Sequence, residues 1–159
     1  MSLRRWTQRR CQNKLMAVHP APSPQTERLP KVLCVDSNER MLEVIAKIVA
    51  PLPVQCVSVS NALEAIEQAR RLRPSLLILD WQLPLMNGWE VLGAIRAEMQ
   101  PAPPRVIILS APEGGFEQML AKNVAGADAY LEKPFEVANL RREIVRLLEL
   151  PLSGSAVHA

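Results

Sequence analysis

Short apolar runs alternate with longer amphipathic segments along the middle of the chain. Five strands are predicted by the apolar runs at 31–36, 54–60, 75–80, 105–110 and 127–132, because their residues are apolar either continuously or at every second position. The first, third and fourth runs are continuous, which is typical of interior strands in a parallel sheet that is covered on both faces. The pattern therefore indicates a sheet with a buried centre.

The segments that follow these runs carry apolar residues at helical spacing. They predict five helices, at 39–49, 61–72, 88–99, 116–125 and 136–150. The second begins with a capping-box pattern, an Asn followed three residues later by a Glu. Strands that alternate with helices through right-handed crossovers give an α/β fold with a doubly wound five-stranded parallel sheet. Ligands bind such sheets outside the carboxyl ends of the strands.

Length and charge divide the chain into one domain and two tails. A chain of 159 residues is long enough for one ordinary domain, which we expect to span 31–150. Residues 1–30 carry five cations within the first 14 positions, and then four of the fourteen prolines, a composition that predicts a mobile tail. An arm that binds nucleic acid or a membrane surface is the alternative. Residues 151–159 predict a second tail.

Hydropathy and cysteine usage narrow the class of protein. The chain has no apolar run near the ~20 residues of a membrane helix, and its basic N-terminus lacks the apolar segment of a secretory signal. We therefore expect a cytoplasmic protein with no membrane partner. The three cysteines, Cys11, Cys34 and Cys56, show no metal-ligand spacing. Because Cys34 and Cys56 lie in predicted strands, we expect both to be small buried residues.

Polar residues stand where four of the predicted strands end. Asp36 ends the first strand, Asp80 the third and Ser110 the fourth, and Lys133 follows the fifth. The carboxyl ends of parallel strands meet at one edge of the sheet, so we expect these residues to lie close together. Two neighbouring carboxylates suit a hard cation such as Mg²⁺, and a carboxylate can act as a nucleophile toward a phosphoryl group. A metal and an ammonium group would offset the charge on that group.

Four segments in this order resemble the receiver domain of two-component response regulators. They read VLCVDSNER, LLILDWQLPLMNGWEVL, VIILSA and GADAYLEKPF, and the resemblance extends over the whole predicted domain, 31–150. It implies a flavodoxin-like (βα)5 receiver fold. It also implies a signalling protein of a phosphorelay and not an enzyme.

The resemblance assigns the phosphorylation chemistry to four residues. Asp80 is the expected phosphoacceptor, which would take a phosphoryl group from a histidine kinase or a phosphotransfer protein. Lys133 is expected to pair with that carboxylate and with the phosphoryl group. The expected Mg²⁺ ligands are Asp36, Asp80 and the backbone carbonyl of Gln82.

The resemblance also implies a switch and an output surface. Ser110 matches the switch hydroxyl that turns toward a phosphoryl oxygen, and Tyr130 matches the aromatic switch residue. A cis peptide bond is expected between Lys133 and Pro134. The face of the fourth helix, fifth strand and fifth helix would bind a downstream protein, and two copies of the chain are candidates to associate on activation. The basic residues expected on that face are Lys122, Arg141, Arg142 and Arg146.

One position departs from the family pattern. The family has two adjacent acidic residues after its first strand, whereas this chain has Asp36 followed by Ser37. Losing a carboxylate near a cation at a net cost of ~2 kcal/mol would weaken Mg²⁺ binding about 30-fold. Ser37 itself or Glu39 is the candidate for the remaining metal ligand. Glu39 has a second reading, as an acidic residue that favours the start of the first helix.

Trp81, which follows the expected phosphoacceptor, keeps two alternative readings, and two nearby segments predict a turn and a flexible loop. Trp81 either shields the acyl phosphate from water or packs over the edge of the sheet. The pair Asn87 and Gly88 is read as a turn before the third helix. The glycines at 114–115 predict a flexible loop after Ser110, which suits a loop that moves in a switch.

The leading functional interpretation is a single-domain response regulator, because only nine residues follow Leu150. The alternative is a degenerate receiver that acts as an interaction module without phosphorylation, and Ser37 is its main support. A hydrolase of the haloacid dehalogenase kind is disfavoured, because Gln82 stands where a second Asp is usual. Direct DNA binding is not expected, since no helix-turn-helix segment remains to perform it.

Overall fold

Five parallel strands form one sheet in the order β2-β1-β3-β4-β5. A computed structural model describes residues 29–112 and 126–151. The strands are β1 (Lys31–Val35), β2 (Gln55–Val59), β3 (Leu76–Asp80), β4 (Arg105–Ser110) and β5 (Ala129–Glu132). Each lies within its predicted segment, and every neighbouring pair is parallel. The predicted doubly wound α/β sheet is therefore confirmed.

Helices follow four of the five strands in the part of the chain that the structure describes. They are α1 (Glu39–Val49), α2 (Ala62–Leu72), α3 (Gly88–Glu98) and the C-terminal helix (Val137–Leu147). The C-terminal helix is shorter than predicted, because Leu148 already takes the capping position. The predicted helix at 116–125 lies outside the described residues, as do the glycines at 114–115, Lys122 and most of both tails.

An asparagine caps the start of each of the first three helices. The side chains of Asn38, Asn61 and Asn87 each accept hydrogen bonds from backbone N–H groups of the first turn, which satisfies donors that the helix itself leaves open. At α3 the Glu90 carboxylate returns the bond to the Asn87 backbone and completes a capping box. The predicted turn at Asn87 and Gly88 is therefore the cap and first residue of α3.

The sheet carries a separate apolar layer on each face, because strand side chains alternate between faces. The odd-numbered residues of β1 and β3 pack with α2 and α3 in one layer, as Leu33 and Leu77 do. The even-numbered ones pack with α1 and the C-terminal helix in the other, as Val32 and Ile78 do. All five residues of β3 are buried, which agrees with its continuous apolar run.

The edge strand β2 is more exposed than its sequence pattern predicts. Cys34 on β1 is fully buried, whereas Cys56 on β2 is exposed, so the prediction that both are buried is wrong for Cys56. The physical reason is position, since β2 has a neighbour on one side only. Among the described residues, no helix is long and apolar enough to cross a membrane.

Candidate functional site

Asp36 lies directly after β1 and is completely buried. Its Oδ1 accepts a hydrogen bond from the backbone N–H of Asn38 at 2.8 Å, and its Oδ2 accepts one from Lys133 Nζ at 2.7 Å. The backbone N–H of Asp36 donates to the carbonyl of Val59 at 3.3 Å. These bonds place one buried carboxylate at the carboxyl end of the sheet and hold both of its oxygens.

Asp80 is the last residue of β3 and is 6% exposed. Its Oδ1 accepts from the backbone N–H of Gln82 at 3.1 Å, and its Oδ2 lies 3.2 Å from Lys133 Nζ. Burial raises the pKa of Asp80 above its ordinary value, and the nearby charge of Asp36 adds to the rise, while the Gln82 N–H and Lys133 oppose it. The buried strand thus ends in a carboxylate that ionises less readily than usual.

Lys133 reaches both carboxylates from the end of the edge strand β5. It follows β5 directly, and its backbone N–H donates to the carbonyl of Ser110 at 2.7 Å. The peptide bond between Lys133 and Pro134 is cis, as predicted. One ammonium group therefore serves two buried carboxylates, Asp36 and Asp80. We call these three residues the carboxylate–lysine cluster.

The two predicted switch residues lie on the neighbouring strands. Ser110 ends β4 and is buried, and its hydroxyl donates to the carbonyl of Ala111 at 3.0 Å. Tyr130 lies on β5 opposite Ile108 and is partly buried against the apolar layer beneath α2 and α3. Ser110 thus shares the strand-end edge with the cluster, whereas the Tyr130 ring lies on one face of the sheet.

The remaining candidate metal ligands lie at the surface. Ser37, Glu39 and Gln82 are exposed, and Glu39 occupies the first turn of α1. Within 29–112 and 126–151, no group of three or more His, Cys, Asp or Glu side chains is arranged to hold a metal ion. The side chains at this edge therefore offer a cation two carboxylates.

Trp81 follows Asp80 directly and packs into the core. It is buried in the layer beneath α2 and α3, and its backbone N–H donates to the carbonyl of Leu109 at 2.8 Å. A Cβ added at Gly88 would lie 2.8 Å from Cε3 of Trp81 and 2.9 Å from its Cα. The contact favours the packing role of Trp81, and only the Asn-Gly pair at 87–88 hints in the sequence at such a close approach.

The fold and the cluster agree with one family of signalling domains. A family model described as the response regulator receiver domain matches residues 32–145, which is most of the chain. The chain therefore belongs to the response regulator receiver family of two-component systems. Its five-stranded parallel sheet is the flavodoxin-like receiver fold that the sequence predicts.

Curated relatives include longer regulators. The chain is 35% identical over 122 residues to the transcriptional regulatory protein PrrA of Mycobacterium leprae, covering 75% of this chain and 50% of that protein. It is 34% identical over 121 residues to hybrid signal transduction histidine kinase G of Dictyostelium discoideum, covering 73% of this chain and 3% of that protein. The chain thus spans half or less of the length of these two relatives.

Solved structures share the fold and include one with a metal. The receiver domain of sensor histidine kinase PA1611 from Pseudomonas aeruginosa has a TM-score of 0.66 and 26% identity, over 76% of this chain and 98% of that one. That structure has a magnesium ion coordinated in its active site cleft. This metal is a feature of the PA1611 domain.

Proposed function

We propose that this chain is a phosphorylation-driven switch in which Asp80 accepts the phosphoryl group. The observation that carries the proposal is the position of Lys133 Nζ, 2.7 Å from Asp36 Oδ2 and 3.2 Å from Asp80 Oδ2. Two buried carboxylates that share one ammonium leave a net charge of −1 when all three groups are ionised. Such an edge attracts a further cation and places a carboxylate where it can act as a nucleophile.

The proposed transfer is a displacement at phosphorus. One oxygen of Asp80 forms a bond to phosphorus, and the bond from phosphorus to the imidazole nitrogen of a donor phosphohistidine breaks. The bonding electron pair leaves with the imidazole, and the product is an acyl phosphate on Asp80. Lys133 would then offset charge on the phosphoryl oxygens, because its ammonium already lies beside Asp80 Oδ2. Asp36 would keep that ammonium in place.

The donor set suits Mg²⁺. This ion binds through one or two carboxylates and keeps several waters, and Asp36 and Asp80 provide two buried carboxylates. These two residues and the Gln82 carbonyl would hold it. Bound Mg²⁺ would supply charge neutralisation for the transferring group. Ser37 is a neutral neighbour, so we expect the site to bind the metal weakly.

Replacing Ser37 by Asp tests the metal proposal. The added carboxylate should tighten Mg²⁺ binding about 30-fold, equivalent to ~2 kcal/mol. Titration with MgCl₂, followed by the quenching of tryptophan fluorescence, measures the change. Ser37→Asn is the matched neutral control and should leave the affinity near that of the wild type. Equal affinities for all three proteins would contradict the assigned role of this position.

The proposed output involves Ser110, Tyr130 and a basic groove. Phosphorylation would draw the Ser110 hydroxyl inward from the Ala111 carbonyl, and Tyr130 would follow. The groove has a volume of about 540 Å³ and contains three arginines above an apolar floor, which suits an acidic segment of a partner protein. Its lining residues are Arg141, Arg142, Val145, Arg146, Glu149 and Leu150. We also propose that two copies of the chain associate on activation.

Incubation with acetyl phosphate and MgCl₂ tests the acceptor. Intact mass spectrometry should show the addition of one phosphoryl group, because the carboxylate of Asp80 displaces acetate from phosphorus. Asp80→Asn should abolish the addition. Asp128→Asn, at the opposite end of the sheet, is the matched control and should keep it. Addition that persists in Asp80→Asn would contradict the proposed acceptor.

A phosphorylation-independent interaction module is the second candidate. The observation in its favour is that Lys133 lies nearer to Asp36 than to Asp80, and that both oxygens of Asp36 already accept hydrogen bonds. A metal or a phosphoryl group would compete with these bonds. The absence of any phosphoryl addition over a wide range of Mg²⁺ concentration would favour this candidate.

The domain limits and the cellular setting also belong to the proposal. We place the receiver domain at 31–150, with tails at 1–30 and 151–159, as a single-domain regulator in the cytoplasm. A histidine kinase or a phosphotransfer protein would be its phosphoryl donor. Mass mapping of the termini of the native protein checks these limits, and a native chain with an additional output domain would contradict the single-domain assignment.

A further inference from the structure

Two cysteines lie side by side on neighbouring strands, away from the carboxylate–lysine cluster. The Sγ atoms of Cys34 and Cys56 are 3.6 Å apart. We propose that they form a thiol pair in which Cys56 is a site of S-thiolation by low-molecular-weight disulfides, and Cys34 donates a hydrogen bond to the Cys56 sulfur. This proposal is independent of the proposed phosphorylation.

The strand register brings the two sulfurs together. In the parallel pairing of β1 with β2, Val32 lies opposite Cys56 and Cys34 lies opposite Ser58. Residues 32 and 34 point to the same face of the sheet because strand side chains alternate, so Cys34 and Cys56 are diagonal neighbours on that face. Their contact is a consequence of the fold and not of sequence proximity.

The two thiols differ in access to solvent. Cys34 is completely buried in the layer beneath α1 and the C-terminal helix. Cys56 is exposed and belongs to the edge strand β2. A dissolved disulfide therefore reaches Cys56 and not Cys34.

The proton is divided unequally between the two sulfurs. The hydrogen bond from Cys34, with a smaller contribution from Ser58, lowers the pKa of Cys56 to about 7, although burial opposes the shift. The same contact and complete burial raise the pKa of Cys34 well above its ordinary value. Cys34 therefore stays an S–H donor at neutral pH, and about half of Cys56 is the reactive thiolate.

The proposed reaction is thiol–disulfide exchange. The Cys56 thiolate attacks one sulfur of a small disulfide, a new S–S bond forms, and the second sulfur leaves as a thiolate. No other oxidant is needed, because the small disulfide is reduced as the protein is thiolated. Closure to a Cys34–Cys56 bond is disfavoured, because the register offsets the two residues by two positions along the strands and disulfides need closely spaced Cα atoms.

The reaction of the full chain with 5,5′-dithiobis(2-nitrobenzoate) tests the pair. Cys11→Ser is introduced first, so that Cys34 and Cys56 are the remaining cysteines. We expect release of one equivalent of the coloured thiolate, an adduct that peptide mapping assigns to Cys56, and a rate that rises with pH through a midpoint near 7. A midpoint near that of an ordinary thiol, about 8.5, would overturn the proposal. Release of two equivalents, which indicates closure to an internal disulfide, would also overturn it.

Two replacements of Cys34 distinguish the effect of its hydrogen bond on the reactivity of Cys56 from the effect of the solvent exposure of Cys56. Cys34→Ser keeps a donor and should keep the low midpoint, whereas Cys34→Ala should move it toward the ordinary value. At pH 6 the alanine variant should react about sixfold more slowly, because its smaller thiolate fraction outweighs its greater intrinsic nucleophilicity. An unchanged midpoint in a folded Cys34→Ala protein would contradict the role of Cys34. Ser58→Ala should raise the midpoint by a smaller amount. This variant replaces Cys34→Ala in the test if Cys34→Ala does not fold.

Discussion

The two ends of the sheet both pair a cation with carboxylate groups, but in different surroundings. At the amino-terminal end, Arg105 and Asp128 form one ion pair of 3.0 Å between side chains that are 60% and 23% exposed. At the carboxyl end, Lys133 serves two carboxylates, Asp36 and Asp80, whose side chains are 0% and 8% exposed. The charges are thus balanced and partly exposed at one end, whereas the carboxylates outnumber the cation and are buried at the other.

The two ends of the sheet differ in how the carboxylates complete their bonding and in the net charge that is buried. Asp128 completes its bonding with the backbone N–H of Val106 at 2.8 Å, so it helps to pair the ends of β4 and β5. The carboxyl end buries an excess negative charge, which costs folding free energy. A sheet end that contributed to stability alone would avoid that cost, which supports the proposal that the chemistry takes place at the carboxyl end.

The largest expected effect comes from removing the shared cation. Lys133→Met should lower the free energy of unfolding by about 3 kcal/mol, because two buried carboxylates lose their common partner. The matched replacement at the other end, Arg105→Met, should cost less than about 1 kcal/mol. Urea denaturation of both variants measures the difference. Equal losses would show that burial does not distinguish the two ends.

A smaller effect is expected from the packing that supports the carboxyl end. Gly88→Ala should lower the free energy of unfolding by about 2 kcal/mol, because the new methyl group would overlap Trp81. Gly93→Ala in the same helix is the control, since a Cβ there meets nothing within 4 Å. It should stabilise the protein by about 0.5–1 kcal/mol. A lower melting temperature for Gly88→Ala and a higher one for Gly93→Ala, measured by thermal unfolding, would support the close approach at Gly88.

The smallest effect concerns pH. The folded-state pKa of Asp80 is raised above 3.8. The stability that the folded protein gains from the proton on Asp80 is therefore fully present below pH 3.8, and it is lost as the pH rises through the folded-state pKa. Asp80→Asn removes that loss and should stabilise the protein at neutral pH by about 1 kcal/mol. Urea unfolding across this pH window measures the difference from the wild type.

Asp128→Asn is the control for the pH experiment. It removes a charge that is paired with Arg105 at the exposed end, so it should destabilise the protein slightly. A stabilising effect of Asp80→Asn that does not grow as the pH rises would contradict the burial of an ionised carboxylate.

Most of the sheet was predictable from local pattern, because burial on both faces leaves continuous apolar runs such as those of β1, β3 and β4. The strand-end positions of Asp36, Asp80, Ser110 and Lys133 followed from the same runs. Helix starts were predictable where a cap is local, as at Asn61. The parallel topology then brought Lys133 to Asp36 across 97 positions of sequence, and to Asp80 beside it.

The remaining features depend on contacts between distant segments. The exposure of Cys56 follows from the edge position of β2, which strand patterns do not specify. The requirement for glycine at position 88 arises from the approach of Trp81 across a loop. The closer pairing of Lys133 with Asp36 depends on side-chain placement to within half an ångström. Apart from the Asn-Gly pair at 87–88, none of these features has a signature in the order of residues alone.

The hydrogen bond of 2.7 Å from the Lys133 backbone to the Ser110 carbonyl has a mechanical consequence. It couples the end of β4 to the base of the lysine side chain, so a displacement of one main-chain segment would move the other. A shift of the Ser110 main chain would therefore move the Lys133 backbone and the base of the side chain that carries the ammonium.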